Sequence, residues 1–397
     1  MSPPAGRFGC MTNVTPIVAA RPRVLEFFAG IGLARMGLEQ AGFSVAWAND
    51  YEQDKRDMYV AEHGYEHPFS LGDVAEVTVD QLPRDAALAW ASSPCTDLSL
   101  AGNRAGFAGT QSGTFWHFIR LMDELGVDAR PEVVVLENVV GLASSRGGDD
   151  LTAAIRAFNG LGYSVDALVL DARRWLPQSR PRLFLVGAQH PPEDCPEPNS
   201  ELRPDWLQSF FGDTTLRTHR AKLPSPPAPR IDGLDDVVEK IGPGDERWWD
   251  TERTMKFVES LSKVQLERIG VLKGSEVATY RTAYRRTRNG TAVWEVRADA
   301  VSGCLRTARG GSSKQAVVKL GGPGPQKLQV RWMTPREYAA LMGAPDYDLT
   351  GARTNQALFG FGDAVAVPAV RWLGEVYLMP LIKREFQGTA KQLRLTI

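Results

Sequence analysis

Cys95 stands in the stretch Ala91-Ser92-Ser93-Pro94-Cys95-Thr96-Asp97-Leu98-Ser99. The apolar run over 86–91 ends in small residues and a Pro-Cys pair, the pattern of a buried strand that delivers one thiol to the mouth of a sheet. Gly102, Gly106, Gly109 and Gly113 follow, so the thiol opens a loop rather than a helix. A thiolate is a soft nucleophile and a tolerable leaving group, whereas a free cysteine with no such task is a small buried hydrophobe. Three further groups could serve a nucleophile. Glu137-Asn138 follow the apolar run 132–136, and a carboxylate at the end of a buried strand costs free energy unless it is paired or functional. Gln178-Ser179-Arg180-Pro181-Arg182 sets two arginines before another strand. Phe27-Phe28-Ala29-Gly30-Ile31-Gly32 closes a β-prone run and opens a helical pattern at Leu33, Met36, Gly37, Leu38 and Ala41. Strand, glycine turn and helix begin a dinucleotide-type α/β unit, in which the backbone approaches a ligand and the helix N-terminus offers free N–H donors; a plain tight turn is the alternative.

The elements that must position these residues alternate. Residues 44–49 read as a second strand ending at Asp50, about twenty residues past the glycines, where such folds hold a ribose diol. Asp50 could equally cap a helix over 51–62. Asp73, after a third short strand, could meet a base amine or sit in a surface turn. Strands at 86–91, 132–136, 163–170 and 183–187, with helices at 113–125 and 150–160, imply an α/β fold with a mostly parallel sheet covered on both faces. Prolines 191, 192, 196, 198 and 204 then break the pattern, and residues 190–330 read as a separate small β-rich domain with a hairpin at Asn289-Gly290. Thr334-Pro335-Arg336-Glu337 starts a helix, and a long amphipathic helix runs from 367 to about 382.

The 397 residues are 43% hydrophobic and 23% charged, ordinary globular values with room for two or three domains. No run of eighteen apolar residues announces a membrane span, and residues 1–22 read as a loose leader rather than a signal peptide. Cys10, Cys95, Cys195 and Cys304 are scattered, which argues against a zinc site or a disulfide framework and for a reducing cytosol. The net charge of -1 does not announce a nucleic-acid partner, but Arg281, Arg285, Arg286, Arg288, Arg297, Arg306 and Arg309 cluster against only Glu295 and Asp299.

In their order, the glycine turn, the Pro-Cys stretch, Glu137-Asn138-Val139, Gln178 to Arg182 and Gly362-Asp363-Ala364-Val365 resemble the C5-cytosine DNA methyltransferase family, over roughly residues 23–190 and 330–385. The resemblance implies a Rossmann-like class I methyltransferase domain with a seven-stranded sheet, a target-recognition domain at 190–330, and a segment 331–397 returning to the first lobe. It implies Cys95 as nucleophile on cytosine C6, which makes C5 enamine-like, with Glu137 at N3 and N4 and Arg180 and Arg182 around ring and thiol. It implies S-adenosylmethionine on Phe28, Ala29, Gly30, Ile31 and Gly32, its ribose on Asp50 beside Tyr51, its adenine on Asp73 and Val74, and Pro94, Phe115, Asp363 and Ala364 closing the site. The implied partner is double-stranded DNA, with the base flipped out of the stack. A loop carrying Thr96, Ser99, Asn103 and Arg104 would close over it, and Arg285, Arg286 and Arg288 would read bases or hold phosphate. A cytoplasmic bacterial, phage or plasmid-type monomer, away from membranes and with a companion restriction endonuclease, completes the expectation.

The sequence departs from the family pattern at several positions. Thr96 stands where glutamine is usual, Leu33 where a third glycine is, Pro181 where an acid is, and Asp363 where asparagine is favoured; Asp363 would repel an acid near the cofactor's amino-acid end. Two other readings keep the motifs: a tRNA cytosine methyltransferase, which the long middle segment disfavours, and a DNA-binding relative that has lost catalysis.

Overall fold

The computed structural model describes residues 20–66, 68–93, 113–195, 200–288, 290–307, 314–325 and 327–387. Its first lobe is built on a seven-stranded sheet of β1 (Arg23–Phe27), β2 (Ser44–Asp50), β3 (Phe69–Leu71), β4 (Ala86–Ala91), β5 (Val133–Val139), β6 (Ser164–Asp171) and β7 (Pro181–Ala188), in the order β3-β2-β1-β4-β5-β7-β6. Helices α1 (Leu33–Gln40), α2 (Gln53–His63), α3 (Thr114–Glu124), α4 (Gly126–Ala129) and α5 (Asp149–Gly160) intervene. The apolar runs Ala86–Ala91 and Val133–Val139 are buried because both faces are covered.

The sheet is mixed, which corrects the expectation of a mostly parallel one. β1 pairs parallel with β2 and β4, β2 with β3, and β4 with β5, but β7 runs antiparallel to both β5 and β6. The cause is local. Between β6 and β7 the chain forms only a short 3-10 turn, Ala172–Arg174, and a parallel return needs a longer crossover.

A second sheet, β8 (Thr279–Arg288), β9 (Thr291–Val296), β10 (Ala316–Leu320) and β11 (Leu328–Trp332), has the order β11-β10-β8-β9 and is antiparallel throughout. The expected hairpin joins β8 to β9, with Gly290 at φ 80°. Helices α6 (Gln208–Gly212), α7 (Leu234–Val237), α8 (Thr251–Glu259) and α9 (Lys263–Lys273) precede it, so the middle segment is as helical as it is stranded. One core packs Phe257, Leu261 and Ile269 against Ala283, Val296, Ala316 and Val330. On another, Tyr280, Leu305 and Val317 join Ile31, Leu33 and Met58 of the first lobe. The prolines after residue 190 mark no break in packing either. Leu202, Ala221 and Leu223 lie in the first lobe's core, and Arg203 is paired with Asp166 of β6.

The chain then forms α10 (Pro335–Leu341), α11 (Thr354–Asp363), α12 (Val367–Leu373) and α13 (Met379–Ile382). Thr334 caps α10 in a reciprocal box with Glu337, as its sequence signature requires. Residues 374–378 between α12 and α13 form a π-helical turn. By length and composition the stretch Thr354–Ile382 could cross a membrane, but 56% of its most apolar window is buried inside the protein. Val370, Leu373, Tyr377 and Leu378 share a core with Val24, Leu38 and Trp90, so α12 and the turn after it return to the lobe that β1 opens.

Candidate active site

The glycine turn sits at the C-terminal end of β1, beside the point where neighbouring strands lead away in opposite directions, the usual ligand crevice of such a sheet. Phe28 and Gly30 both hold φ at 58°, left-handed values that fold the backbone back on itself. A side chain added at Gly30 would meet nothing, whereas one at Gly32 would strike His63 and Tyr59. Gly30 therefore borders an open cradle, and Gly32 packs against α2. Asp50 ends β2, buried, with one carboxylate oxygen accepting from Gly30 N at 2.9 Å and the other from Glu52 N at 3.0 Å. Burial pushes its carboxyl up, against the Lys55 ammonium and the two backbone N–H groups. Glu52, not Asp50, is the N-cap residue of α2.

Around this cradle the structure gathers most of the residues expected of a cofactor site. Tyr51 is exposed beside Asp50. Asn49 Nδ2 donates to the carbonyls of Ser70 and Gly72, which fixes the turn carrying exposed Asp73 and buried Val74. Asp73 accepts from Ala75 N and caps a single 3-10 turn. Ala29 donates to Asn49 O. Ile31 and Phe115 are fully buried in cores; Phe115 meets Phe118, Phe158 and Trp116, and the structure gives both residues a packing role. An open cradle at a helix N-terminus, a buried acid and polar residues at the ends of β2 and β3 fit a nucleoside-bearing cofactor. Among the described residues no group of three His, Cys, Asp or Glu could hold a metal ion.

The second half of the site lies where β4 and β5 end. Pro94, Cys95, Thr96, Ser99, Asn103 and Arg104 fall outside the described residues. The last described residue before them, Ser93, is buried, and its carbonyl accepts from Asn138 Nδ2 at 3.4 Å. Glu137 is buried in β5, and Arg182 Nε lies 3.0 Å from its Oε1. Glu137 faces Phe184 across the antiparallel β5–β7 pair, which puts Arg182 on its diagonal.

Arg180 behaves differently. Wholly buried, it donates to Leu305 O at 2.7 Å, Gly362 O at 2.9 Å and Ala364 O at 2.5 Å, and lies 3.3 Å from Cys304 Sγ. Desolvation, with Arg182 nearby, brings its pKa down to about 10. Gln178, also buried, accepts from Leu305 N and donates to Leu341 O. The two side chains bind the strand end to the 304–307 segment and to the Gly362–Ala364 turn.

Two residues here carried no warning in the sequence beyond their type. Cys304 rests against Arg180; burial raises its thiol pKa, but Arg180, Arg182 and Arg306 outweigh this and hold it below the ordinary value. Lys55, in the first turn of α2, lies 3.0 Å from both Glu52 Oε1 and Asp363 Oδ2. Only folding brings α11 onto α2.

On the second sheet, Arg285 is exposed, while Arg286 lies 3.2 Å from Glu295 and stacks over Tyr284. The Arg288 side chain lies outside the described set. Arg281 is turned onto Thr279 and the Tyr280 carbonyl, and Arg297 onto Asp299, so much of the basic cluster is engaged within the fold.

Comparison with known proteins finds methyltransferases. Over 358 residues the chain is 25% identical to the type II methyltransferase M.Bsp6I of Bacillus sp. (strain RFL6), covering 89% of this chain and 97% of that protein. It is 26% identical to the type II methyltransferase M.HhaI of Haemophilus parahaemolyticus, covering 88% and 92%. The Entamoeba histolytica methyltransferase EhMeth shares the fold at a TM-score of 0.58 and 13% identity, over 92% of this chain and 99% of that one. S. pombe Dnmt2 shares it at 0.53 and 17%, over 92% and 99%. The model of the C-5 cytosine-specific DNA methylases matches residues 22–378, and the chain belongs to that family.

Proposed function

We propose that this DNA cytosine-5-methyltransferase acts through a transient bond between Cys95 Sγ and C6 of a cytosine turned out of duplex DNA. The observation carrying this reading is the buried Glu137–Arg182 pair, set where β4 leads the chain towards Cys95. Thiolate addition at C6 places negative charge on N3 and O2. A proton shared between N3 and the Glu137 carboxyl, and the Arg182 guanidinium near O2, relieve it. C5 then takes the methyl group, loses its proton to a base, and the thiolate leaves C6 as the double bond re-forms.

S-adenosylmethionine, which the family implies, supplies that methyl group from a sulfonium. Gly30, which borders open space and donates to Asp50, would hold it together with Asp50, Tyr51, Asp73, Val74, Asp363 and Ala364. Arg180 holds the Gly362–Ala364 turn in place and so acts as a positioning residue. The segment with Thr96, Ser99, Asn103 and Arg104 would cover the flipped base, while Arg285, Arg286 and Arg288 contact DNA. A cytoplasmic monomer paired with a restriction endonuclease is the setting we favour.

The test is methyl transfer to duplex DNA. Cys95→Ala is expected to lower it by about a thousandfold or more, and Glu137→Gln by about a hundredfold or more. Wild-type protein should form a stable covalent complex with 5-fluorocytosine duplex, and Cys95→Ala none. An alanine variant as active as wild type would refute the mechanism, and transfer to tRNA in preference to duplex would refute the substrate.

A further inference from the structure

We propose that Lys55 is a positioning residue of the cofactor site, whose ammonium neutralises Asp363 and so lets an acid stand where the family favours a neutral asparagine. The inference rests on the cofactor reading above and adds to it a residue that no motif contains.

Three carboxylates converge at the mouth of the cradle: Asp50 at the end of β2, Glu52 at the N-cap of α2, and Asp363 at the end of α11. Asp50 is already committed to Gly30 N and Glu52 N. Lys55 Nζ is 3.0 Å from Glu52 and 3.0 Å from Asp363. Its side chain is 14% exposed and that of Asp363 is 42% exposed, so the ammonium lies beneath the carboxylate and the carboxylate faces out. Burial works against the ammonium, but Asp363, Asp50 and Glu52 outweigh it and hold the Lys55 pKa above lysine's usual value. The charge is therefore permanent at any physiological pH.

Asp363 is held rigidly as well as neutralised. Its neighbours Gly362 and Ala364 both present their carbonyls to buried Arg180. A side chain at Gly362 would come within 3.0 Å of the 306–307 backbone, so the turn is pressed against that segment. On the cofactor reading, which puts the amino-acid end beside this turn, a carboxylate there without a counter-ion would repel the cofactor's own. Like charges in a partly desolvated site cost more than in water. With Lys55 attached, the acid presents hydrogen-bond acceptors while the ammonium offsets part of the local negative charge that it shares with Glu52.

The experiment is a double-mutant cycle read by calorimetric binding of S-adenosylhomocysteine, which carries the amino-acid end but cannot turn over. Lys55→Met is expected to weaken binding about tenfold or more, and Lys55→Met/Asp363→Asn to recover most of the loss. Lys55→Arg, which keeps the charge, should bind within about threefold of wild type, and the Lys55→Met defect should shrink at 1 M salt. On wild-type protein, reductive methylation of Lys55 followed by mass spectrometry should be slow and slower still with ligand, which needs no variant to fold. A Lys55→Met protein that binds like wild type, a double variant as weak as the single, or rapid ligand-independent labelling overturns the inference and leaves the cofactor site standing. Wild-type protein that binds no S-adenosylhomocysteine overturns the cofactor reading and this inference together.

Discussion

Arg180 and Arg182 are separated by one proline, yet their tasks diverge because their surroundings do. Arg182 reaches along the sheet face to Glu137 and keeps some exposure; Arg180 is sealed among backbone carbonyls of two distant segments. Replacing Arg180 by Met would take their donor from the Gly362 and Ala364 carbonyls and leave Leu305 O only the Cys304 thiol, at about 1–3 kcal/mol for each orphaned carbonyl. We expect urea denaturation of Arg180→Met to show a loss of about 3 kcal/mol or more, together with weakened cofactor binding. Arg182→Met, which strips buried Glu137 of its partner, should also cost stability but show its main effect in the methyl-transfer rate. The same contrast holds for Phe115, whose ring is wholly enclosed by Phe118 and Phe158. Phe115→Ala should cost about 3–5 kcal/mol, measured by the same denaturation.

At the scale of elements, the reversal of β7 decides the site. In an antiparallel pair the start of one strand lies beside the end of the other. The first residues of β7 therefore meet the last residues of β5, and Arg182 meets Glu137. A parallel β7 would have carried both arginines to the opposite edge of the sheet. The closing helix is fixed just as tightly. At Gly37 of α1 a Cβ would stand 2.6 Å from the Val370 side chain and 2.7 Å from the Val367 carbonyl of α12. Gly37→Ala removes a helix-weakening glycine, worth about 1 kcal/mol in α1 itself, but forces α12 outward. Overpacking of this kind costs about 1–3 kcal/mol, so a net fall in melting temperature is expected, and a rise would show that α12 yields freely.

Across the whole molecule, a buried polar network joins three stretches of chain far apart in sequence. Asp166 of β6 accepts from Arg203, from Ala221 N and from the Tyr377 hydroxyl, while His219 bridges Ser164 and Tyr377. Burial lowers the His219 pKa below its usual 6.5, with Asp166 opposing and Arg203 adding to the shift. An unfolded chain thus binds a proton on this histidine at a pH where the folded one does not. Its contribution is intact above pH 6.5 and is lost as pH falls from there through the lower folded value. Denaturation of wild type and His219→Gln between pH 7.5 and pH 5 should show a shallower pH slope in the variant. Equal slopes would place the proton uptake elsewhere.

The sequence by itself determined the α/β class, the strand positions, the glycine turn, the Thr334 cap and the Asn289-Gly290 hairpin. Each of these is written in local propensity or in a spacing of a few residues, and the motif order was enough to place the chain in its family. Contacts that depend on where distant elements meet were decided by tertiary structure alone. Nothing near Lys55 in the sequence points to Asp363, because α2 and α11 meet only in a core that sets Met58 with Leu358 and Phe361 and that folding alone assembles. Nothing near Cys304 points to Arg180, and the prolines after residue 190 suggested a boundary that packing of Leu202, Arg203 and Ala221 erases. The direction of β7 depended on what the nine residues between it and β6 failed to build, a crossover helix, and the pairing of Glu137 with Arg182 followed from that.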